Sequence, residues 1–289
     1  MKEIVNRLVK KAFLQMGFEL RRVSRQDPFP RNSLLGALHQ VRKQGWQPRT
    51  CIDVGAALGD FSLACARIFP EAQYLLIEPL KEYEPFLTAA VRQLPGAKYI
   101  PVAATVRDGS VAIYVHKDLV GSSLYREKEG PAVDGVARTV SAMTLDRLCQ
   151  EYNTAGPYLL KIDVQGAELE VLKGAEKALQ EAEYVILETS FFRFFHGGPE
   201  FNAVMKFMEE RGFVPYDIWG LKYRPLDRAL AQADVAFVKE DGIFRKSHIY
   251  ATPEQRAAQD ASFQRVIAAR RQKLPRQTKT GRRPEEKQT

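Results

Sequence analysis

Two acids and two glycines in one short stretch of this chain have the types and spacing of a nucleoside-binding turn. Residues 51–61 read C-I-D-V-G-A-A-L-G-D-F, so Asp53 ends an apolar strand, and Gly55 and Gly59 bracket the turn into a helix. One strand later, Glu78 ends a second apolar run, L-L-I-E-P. In a βαβ unit such glycines let the backbone approach a ligand, and the second acid accepts hydrogen bonds from ribose hydroxyls. The pattern therefore predicts a bound nucleoside.

The glycine spacing favours a nucleoside without phosphate over a dinucleotide. A pyrophosphate-binding turn reads G-x-G-x-x-G, whereas three non-glycine residues separate Gly55 from Gly59. Asp53 and Asp60 flank the turn, and carboxylates repel a pyrophosphate but suit a cation or a hydroxyl-rich ligand. S-adenosylmethionine carries a sulfonium, an ammonium and a ribose, so it is the predicted cofactor, with these four residues and Glu78 in its site. A nicotinamide cofactor and an ordinary βα turn with a capping Asp are the alternatives.

The remaining cofactor contacts are predicted from positions along the chain. Asp53 and Gly55 are expected near the amino-acid moiety of the cofactor. Ala104 follows the third predicted strand, and its small side chain leaves room for the adenine ring. No polar residue that would read the adenine is obvious at that point, and Arg107 or Asp108, shortly after it in the sequence, could serve.

A second pattern, in residues 159–176, places charged side chains at the end of another apolar strand. The segment reads L-L-K-I-D-V-Q-G-A-E-L-E-V-L-K-G-A-E, and alternate strand residues share a face, so Lys161 and Asp163 point the same way. Open α/β sheets bind ligands at the carboxyl ends of their strands, which makes Asp163 a candidate catalytic base. Lys161 is costly to bury without a partner, and Asp163 or Glu188 could supply one. We expect Lys161 to support catalysis electrostatically and Glu188 to contact the acceptor. A plain βα unit with a capping Asp is the alternative.

His196 is the second candidate base. It lies in F-F-R-F-F-H-G-G-P, after the fifth predicted strand, where two glycines could let the loop act as a lid. The four phenylalanines could stack on a sugar or an apolar acceptor. The alternative is that His196 is an ordinary loop residue and that the phenylalanines belong to the core.

The order of apolar runs and turns predicts an α/β architecture. Strands are predicted over 51–54, 74–77, 98–103, 158–163, 184–188, 213–217 and 234–238, with a β insertion within the sheet from 111–116 and 136–141. Helices are predicted over 1–18, 33–45, 59–68, 83–94, 166–179, 201–211 and 252–274, with a short one starting at Thr144. The chain would thus comprise an N-terminal helical segment (1–45), a catalytic domain (46–245), a C-terminal helix (246–274) and a disordered basic tail (275–289).

Taken together, the motifs resemble those of the FkbM-type methyltransferases. The likeness covers about residues 45–240 and includes I-D-V-G-A-A-L-G-D-F, I-E-P-L-K-E-Y, G-S-S-L, K-I-D-V-Q-G-A-E-L-E-V-L-K-G-A-E and L-E-T-S-F. It implies a class I, Rossmann-like fold, with a seven-stranded, mostly parallel sheet and helices on both faces. The family often has Glu where this chain has Gln165. Ser122, Ser123 and Tyr125 resemble a family acceptor loop, so we expect their hydroxyls to orient a polar substrate; simple turn chemistry is the alternative.

The resemblance also implies methylation of a hydroxyl, on a sugar, a polysaccharide or a secondary metabolite. The expected partner is therefore a small-molecule or glycan acceptor. Two other functions stay open: an inactive methyltransferase fold that acts as a scaffold at a membrane, and an NAD-dependent oxidoreductase. A nucleic-acid methyltransferase is disfavoured, because a cleft for phosphates should be positively charged.

The charge is unevenly distributed along the 289 residues. The whole chain carries +8, but residues 1–50 carry +8, residues 252–289 carry +6, and the part between them carries −6. Basic ends suit an anionic partner surface, although a solvated tail has the same composition. Residues 1–18 form a basic amphipathic pattern that predicts either peripheral contact with a membrane or packing on the domain itself.

Composition sets the remaining expectations. No apolar run is long enough to span a bilayer, and the N-terminus lacks the apolar core of a signal peptide. The three cysteines, Cys51, Cys65 and Cys149, have no metal-like spacing, and no metal site is predicted. We expect a cytoplasmic protein, with peripheral membrane contact as an option, and the sequence sets no oligomeric state.

Overall fold

Helices and strands alternate through most of the chain in its computed structural model, which describes residues 2–16, 27–130 and 132–272. The predicted tail, 275–289, lies outside the described residues. The chain divides into two compact units, residues 1–245 and 246–289. The helices are α1 (Lys2–Gln15), α2 (Leu34–Lys43), α3 (Asp60–Ala66), α4 (Glu84–Gln93), α5 (Leu145–Glu151), α6 (Glu168–Lys173), α7 (Glu176–Glu181), α8 (Phe201–Glu209) and α9 (Pro253–Arg271). The strands are β1 (Thr50–Val54), β2 (Gln73–Ile77), β3 (Lys98–Ile100), β4 (Ala103–Ala104), β5 (Gly109–Val115), β6 (Val136–Met143), β7 (Tyr158–Ile162), β8 (Ala182–Ser190), β9 (Phe213–Tyr223) and β10 (Leu230–Lys239).

The first unit is built on a seven-stranded sheet with the strand order β3-β2-β1-β7-β8-β10-β9. The strands from β3 to β8 run parallel, and β10 pairs antiparallel with both β8 and β9. The predicted class I methyltransferase fold, with its mostly parallel sheet, is therefore confirmed. The strand order reverses between β1 and β7, and open α/β sheets bind their ligands at such a switch point.

Each face of this sheet is covered by helices and has its own hydrophobic core. On one face, Ile52 of β1 and Leu160 of β7 pack in a cluster with side chains of α5 to α8. On the other face, Cys51 and Leu159 pack with side chains of α2, α3 and α4. Because helices cover both faces of the sheet, all five residues of β1 are buried, and Asp53 is the charged residue among them.

The single helix predicted over 166–179 is wrong, since two helices, α6 and α7, occupy this segment. The break falls at Gly174, where a Cβ atom would lie 2.3 Å from the carbonyl oxygen of Thr105. The Asp146 side chain begins the second helix by accepting a hydrogen bond from the backbone N–H of Ala178 at 2.9 Å. A long-range contact therefore ends one helix and caps the next.

The predicted third strand, 98–103, and the β insertion also differ from expectation. Pro101 has no N–H to donate, so the strand in the main sheet ends at Ile100. The chain continues as β4, which pairs with β6, and β6 pairs with β5 in a separate three-stranded sheet. The insertion thus lies outside the main sheet, rather than within it as predicted.

The second unit contains helix α9. It begins with a capping box, in which the Thr252 hydroxyl accepts from the Gln255 N–H and the Gln255 side chain accepts from the Thr252 N–H. Pro253 occupies the first turn, and the start of this helix is as predicted.

Helix α1 covers most of the predicted segment 1–18, whose last two residues are outside the described ranges. The side chains of residues 9–16 are exposed, and they include Val9, Phe13, Leu14 and Met16. Across residues 2–16, 27–130 and 132–272, no helix has the length and apolar character needed to cross a membrane.

Candidate functional site

The turn after β1 meets the turn after β7 in the crevice at the switch point. Gly55 has a φ of +74°, and a Cβ atom there would lie 1.9 Å from the carbonyl oxygen of Asp163. Only glycine fits both the backbone conformation and the close approach. Ala57, two residues on, also has a positive φ, and its N–H donates to Glu78 Oε2 at 3.1 Å. The predicted motif residues Gly55, Glu78 and Asp163 are therefore brought together.

Glu78 is a buried carboxylate that is held by backbone groups. Besides the bond from Ala57, its Oε1 accepts from the Leu80 N–H at 3.0 Å. Burial raises the pKa of Glu78 to about 7, although the two backbone hydrogen bonds favour the charged form. Its side chain lines a cavity at the ends of β1 and β2, and each of its oxygens keeps a lone pair for another donor.

This nucleoside cavity, as we call the space bordered by Glu78, Val54 and Asp163, has a largely apolar wall. Ala104 lines it as predicted. The apolar wall comes from β4 and the insertion, through Val102, Ala103, Ile113, Leu119, Val120 and Leu124. Neither Arg107 nor Asp108 lines the cavity, and Asp108 instead accepts from the Thr144 N–H and pairs with Arg147.

Charged side chains lie beside one another at the carboxyl ends of β1 and β7. Asp53 is fully buried, accepts from the Ser62 hydroxyl at 2.8 Å and lies 3.3 Å from the ammonium of Lys161. Lys161 also donates to the carbonyl of Gly55 at 2.9 Å and lies 3.6 Å from Asp163 Oδ2. Burial raises the pKa of Asp53 against the effect of Lys161. Burial disfavours the Lys161 cation, but the two carboxylates outweigh burial and raise its pKa. Lys161 therefore ties both turns together as a cation.

The charged cluster continues onto the antiparallel part of the sheet. Glu188, at the end of β8, is buried; its Oε2 accepts from Gln165 at 2.9 Å and from Gln232 at 2.8 Å, and its Oε1 pairs with Lys222. Burial raises the pKa of Glu188 to about 7, the Asp163 charge acts in the same direction, and Lys222 opposes both. Both carboxylate oxygens thus have protein donors, and a direct contact with the acceptor stays a prediction.

A second cavity, which we call the side cavity, lies between the β1 turn and the last two strands. Asp60 and Asp163 line it together with Asp234 and Trp219. Burial, followed by the nearby Asp163 charge, raises the pKa of Asp234 to about 6. Asp163 and Ala57 line both cavities, so Asp163 lies between the two spaces.

The sequence analysis did not identify Lys222, Gln232 and Asp234 as part of this site. They lie on the β9–β10 hairpin, which extends beyond the predicted strands, and Asp234 is paired in register with Glu188. A signal was present, because an acid in the apolar run A-D-V-A-F-V needs a partner once it is buried.

The loop residues take different positions. Ser122 lines the nucleoside cavity, where its hydroxyl accepts from the His116 N–H at 3.1 Å. The Ser123 hydroxyl donates to the carbonyl of Gln165 at 2.6 Å and accepts from the Tyr125 N–H at 3.0 Å. Tyr125 lines neither cavity and lies beside Gly197. Ser123 therefore joins the insertion to the turn after β7.

His196 is exposed and lines neither cavity, and its backbone N–H donates to the carbonyl of Arg126 at 2.8 Å. Of the neighbouring aromatic side chains, Phe195 is buried against Gly166, and Phe191 stacks on Phe201. The predicted roles of His196 as a base and of Tyr125 as an acceptor contact stay predictions. Within the described ranges, no group of three or more His, Cys, Asp or Glu side chains could hold a metal ion.

Comparison with known proteins gives one family. Residues 53–215 match the sequence profile of the methyltransferase FkbM domain. The hexuronic acid methyltransferase AglP of Haloferax volcanii is 27% identical over 55% of this chain, and the methyltransferase sdnD of Sordaria araneosa is 30% identical over 48% of it. The matches span only 60% and 65% of those two proteins. Among solved structures, an FkbM methyltransferase from Methylobacillus flagellatus superposes with a TM-score of 0.43 at 16% identity, over 65% of this chain and 43% of the other.

Proposed function

Because the chain belongs to the FkbM methyltransferase family, we propose that it transfers a methyl group from S-adenosylmethionine to a hydroxyl of a sugar, a polysaccharide or a secondary metabolite. The observation that supports this proposal best is the position of Asp163, which lines both the nucleoside cavity and the side cavity. A base between the two cavities can reach a methyl acceptor in one cavity while the methyl donor lies in the other.

The residues of the nucleoside cavity fit S-adenosylmethionine. Glu78 offers a buried carboxylate to the ribose hydroxyls, and Ala104 lies in an apolar wall that suits the adenine ring. Outside this cavity, at the exposed start of α3, Asp60 lines the side cavity, and its carboxylate suits the ammonium of the amino-acid moiety. When bound, the cofactor supplies an electrophilic methyl group on a sulfonium that leaves as a neutral thioether. NAD(H) remains the rival ligand, and the absent middle glycine and the nearby acids disfavour it.

The chain's own residues then orient the acceptor and receive its proton. Asp163 is the preferred base, because its side chain is 31% exposed while Asp53 and Glu188 are almost fully buried. Lys161, 3.6 Å away, stabilises negative charge there and holds the two turns at a fixed separation. His196 is the second candidate and would reach an acceptor only from the outer loop.

The acceptor class follows from the chemistry of the side cavity and from one relative. The wall of the side cavity combines carboxylates with the rings of Phe61 and Trp219, a pairing that suits the hydroxyls and the apolar faces of a sugar. The relative AglP is described as a hexuronic acid methyltransferase, which also supports a sugar acceptor.

Two measurements test this function in sequence. Isothermal titration with S-adenosylmethionine, S-adenosylhomocysteine and NADH, on the full chain, should give heat with the first two only. Heat with NADH alone would contradict the proposal. Mass spectrometry of glycans and metabolites from cells with the wild-type chain or Asp163→Ala should then show one methyl group missing in the variant. Cofactor binding without any methylated product would favour the inactive scaffold.

Contact with an anionic membrane through α1 is a separate prediction. The exposed Val9, Phe13 and Met16 recur at helical spacing beside Lys10 and Lys11, as in helices that lie in a membrane interface. Co-sedimentation with vesicles of phosphatidylcholine, with and without phosphatidylglycerol, tests it. Binding only to the anionic vesicles, lost in Phe13→Asp, is the expected result, and equal recovery with and without vesicles would contradict it.

A further inference from the structure

Gln165 joins two carboxylates that belong to neighbouring strands. Its Nε2 donates to Asp163 Oδ1 at 2.9 Å and to Glu188 Oε2 at 2.9 Å. A primary amide has two N–H groups on one nitrogen, so this nitrogen can satisfy both acceptors at once. No carboxylate at this position could do so when ionised, because it has no proton to donate.

The backbone around Gln165 is held in an uncommon conformation. Its φ is +53°, in the left-handed region that disfavours residues with a side chain. Ser123 donates to its carbonyl at 2.6 Å, and the Glu168 side chain accepts from the N–H groups of Val164 at 3.2 Å and Gly166 at 3.0 Å. Contacts on both sides of the residue therefore keep its side chain aimed at the two acids.

Glu188 provides a fixed anchor at the far end of this bridge. It is 4% exposed, and Lys222 and Gln232 also donate to it. Asp163, by contrast, is partly exposed, and its side-chain partners among the described residues are Gln165 and Lys161. The bridge therefore runs from a buried acid with three donors to an acid that borders both cavities.

We propose that Gln165 is a positioning residue, which fixes the Asp163 carboxylate toward the acceptor by anchoring it to Glu188. This inference rests on the proposed function, since it assigns a role to Asp163 in methyl transfer. It also gives a reason for Gln rather than Glu in this chain. The charged groups around the bridge are Lys161 on β7, Asp163 directly after β7, Glu188 on β8, Lys222 on β9, Asp234 on β10 and Glu168 on α6.

The first test measures turnover in Gln165→Leu and in Gln93→Leu, a matched control that makes the same substitution at an exposed glutamine of α4, outside the site. In Gln165→Leu we expect kcat to fall by about 10- to 100-fold, because a misplaced catalytic group loses about that much, while the Kd for S-adenosylhomocysteine changes less than about threefold. Gln93→Leu should stay within about threefold of wild-type kcat. Wild-type kcat in Gln165→Leu, with the fold intact by its unfolding midpoint, would overturn the proposal.

The second test uses the pH profile of Gln165→Glu. At high pH the introduced carboxyl is ionised and repels both neighbours, whereas at lower pH it is protonated and can donate one hydrogen bond. The ratio of variant to wild-type kcat should therefore rise as pH falls, by about tenfold between pH 8.5 and 6. The ratio for Gln165→Leu should stay flat, since no group titrates there. A flat ratio in Gln165→Glu would contradict the bridge.

A third measurement needs no turnover and separates failure of this inference from failure of the proposed function. In ¹H–¹⁵N spectra of the wild-type chain, the Gln165 side-chain amide should exchange slowly and shift as Glu188 titrates, near pH 7. Glu188→Gln should abolish that shift. Fast exchange of this amide would overturn the inference even in an active enzyme, whereas a protected amide in a chain without any turnover would contradict only the proposed methyl transfer.

Discussion

The two sides of Asp163 hold their carboxylates by different means. On the nucleoside side, Glu78 accepts from the backbone N–H groups of Ala57 and Leu80, in a largely apolar wall. On the other side, Glu188 accepts only from side chains, two amides and one ammonium. Backbone donors are fixed by the fold, whereas each side-chain donor depends on one residue. The position of Glu78 should therefore be lost mainly when the β1 turn itself is changed. The position of Glu188 should instead respond to substitution of a single polar side chain.

Gly55→Ala should have the largest effect, because it breaks both sides together. The new Cβ atom would collide with the Asp163 carbonyl at 1.9 Å, in a backbone conformation that already disfavours Ala. We expect a loss of about 3 kcal/mol of unfolding free energy, from crowding and backbone strain combined. Cofactor binding should be lost with it. Chemical denaturation and isothermal titration measure the two effects.

Gly96→Ala is the matched control for that variant. Gly96 has almost the same φ, +73°, but a Cβ atom there meets nothing within 4 Å. Only the conformational cost remains, about 1 kcal/mol, and cofactor affinity should be unchanged. Equal losses of unfolding free energy in Gly55→Ala and Gly96→Ala would show that the close contact between the turns after β1 and β7 does not contribute to stability.

Lys161→Met should have the next largest effect on stability. The variant leaves Asp53 fully buried without a cationic partner, and removal of one member of a buried pair costs about 3 kcal/mol. Because burial raises the pKa of Asp53 above its unfolded value, the folded state favours the protonated acid, so this loss should shrink as pH falls. Lys173→Met, which removes an exposed pair with Glu170, should change the unfolding free energy by less than about 0.5 kcal/mol. A loss that grows toward low pH would contradict this account of Lys161.

Glu78→Gln should weaken the nucleoside side alone. An amide keeps the shape of the carboxylate but is neutral, so its hydrogen bonds from the backbone N–H groups and the ribose hydroxyls are no longer assisted by a negative charge. Cofactor affinity should therefore fall by about 10- to 100-fold. With the pKa of Glu78 at about 7, the wild-type affinity should rise as pH increases through 7, and the variant should lack that rise. Titration calorimetry at several pH values checks this, with the exposed Glu84→Gln as control. A pH-independent wild-type affinity would argue against Glu78 as the ribose ligand.

The nucleoside side could be predicted from the sequence because its determinants are local. Gly55, Glu78 and Asp163 each follow an apolar strand within a few residues, and parallel strands bring their carboxyl ends to one edge. The α/β architecture followed from the same rhythm, and the seven-stranded, mostly parallel sheet followed from the resemblance to the FkbM-type methyltransferases. These positions can therefore be predicted from the order and spacing of residues along the chain, without knowledge of any long-range contact.

The rest of the site depends on contacts that no local pattern contains. Lys222 and Gln232 reach Glu188 through the pairing of β9 with β10, whose register shifts at irregularities on both sides of Gln232. A shift of one residue exchanges the faces of a strand, so the pairing decides which side chains enter the site. The break between α6 and α7 likewise depends on Asp146, which caps a helix more than two dozen residues away.

Methyl transfer by Asp163→Asn, measured beside cofactor affinity in the same preparation, tests the central role of this acid most directly. The amide occupies the same volume but cannot accept a proton, so kcat should fall by about 10²- to 10⁴-fold. The Kd for S-adenosylmethionine should stay within about threefold of wild type, because Glu78 and the β1 turn are unchanged. Retained wild-type kcat in this variant would contradict the assignment of Asp163 as the base.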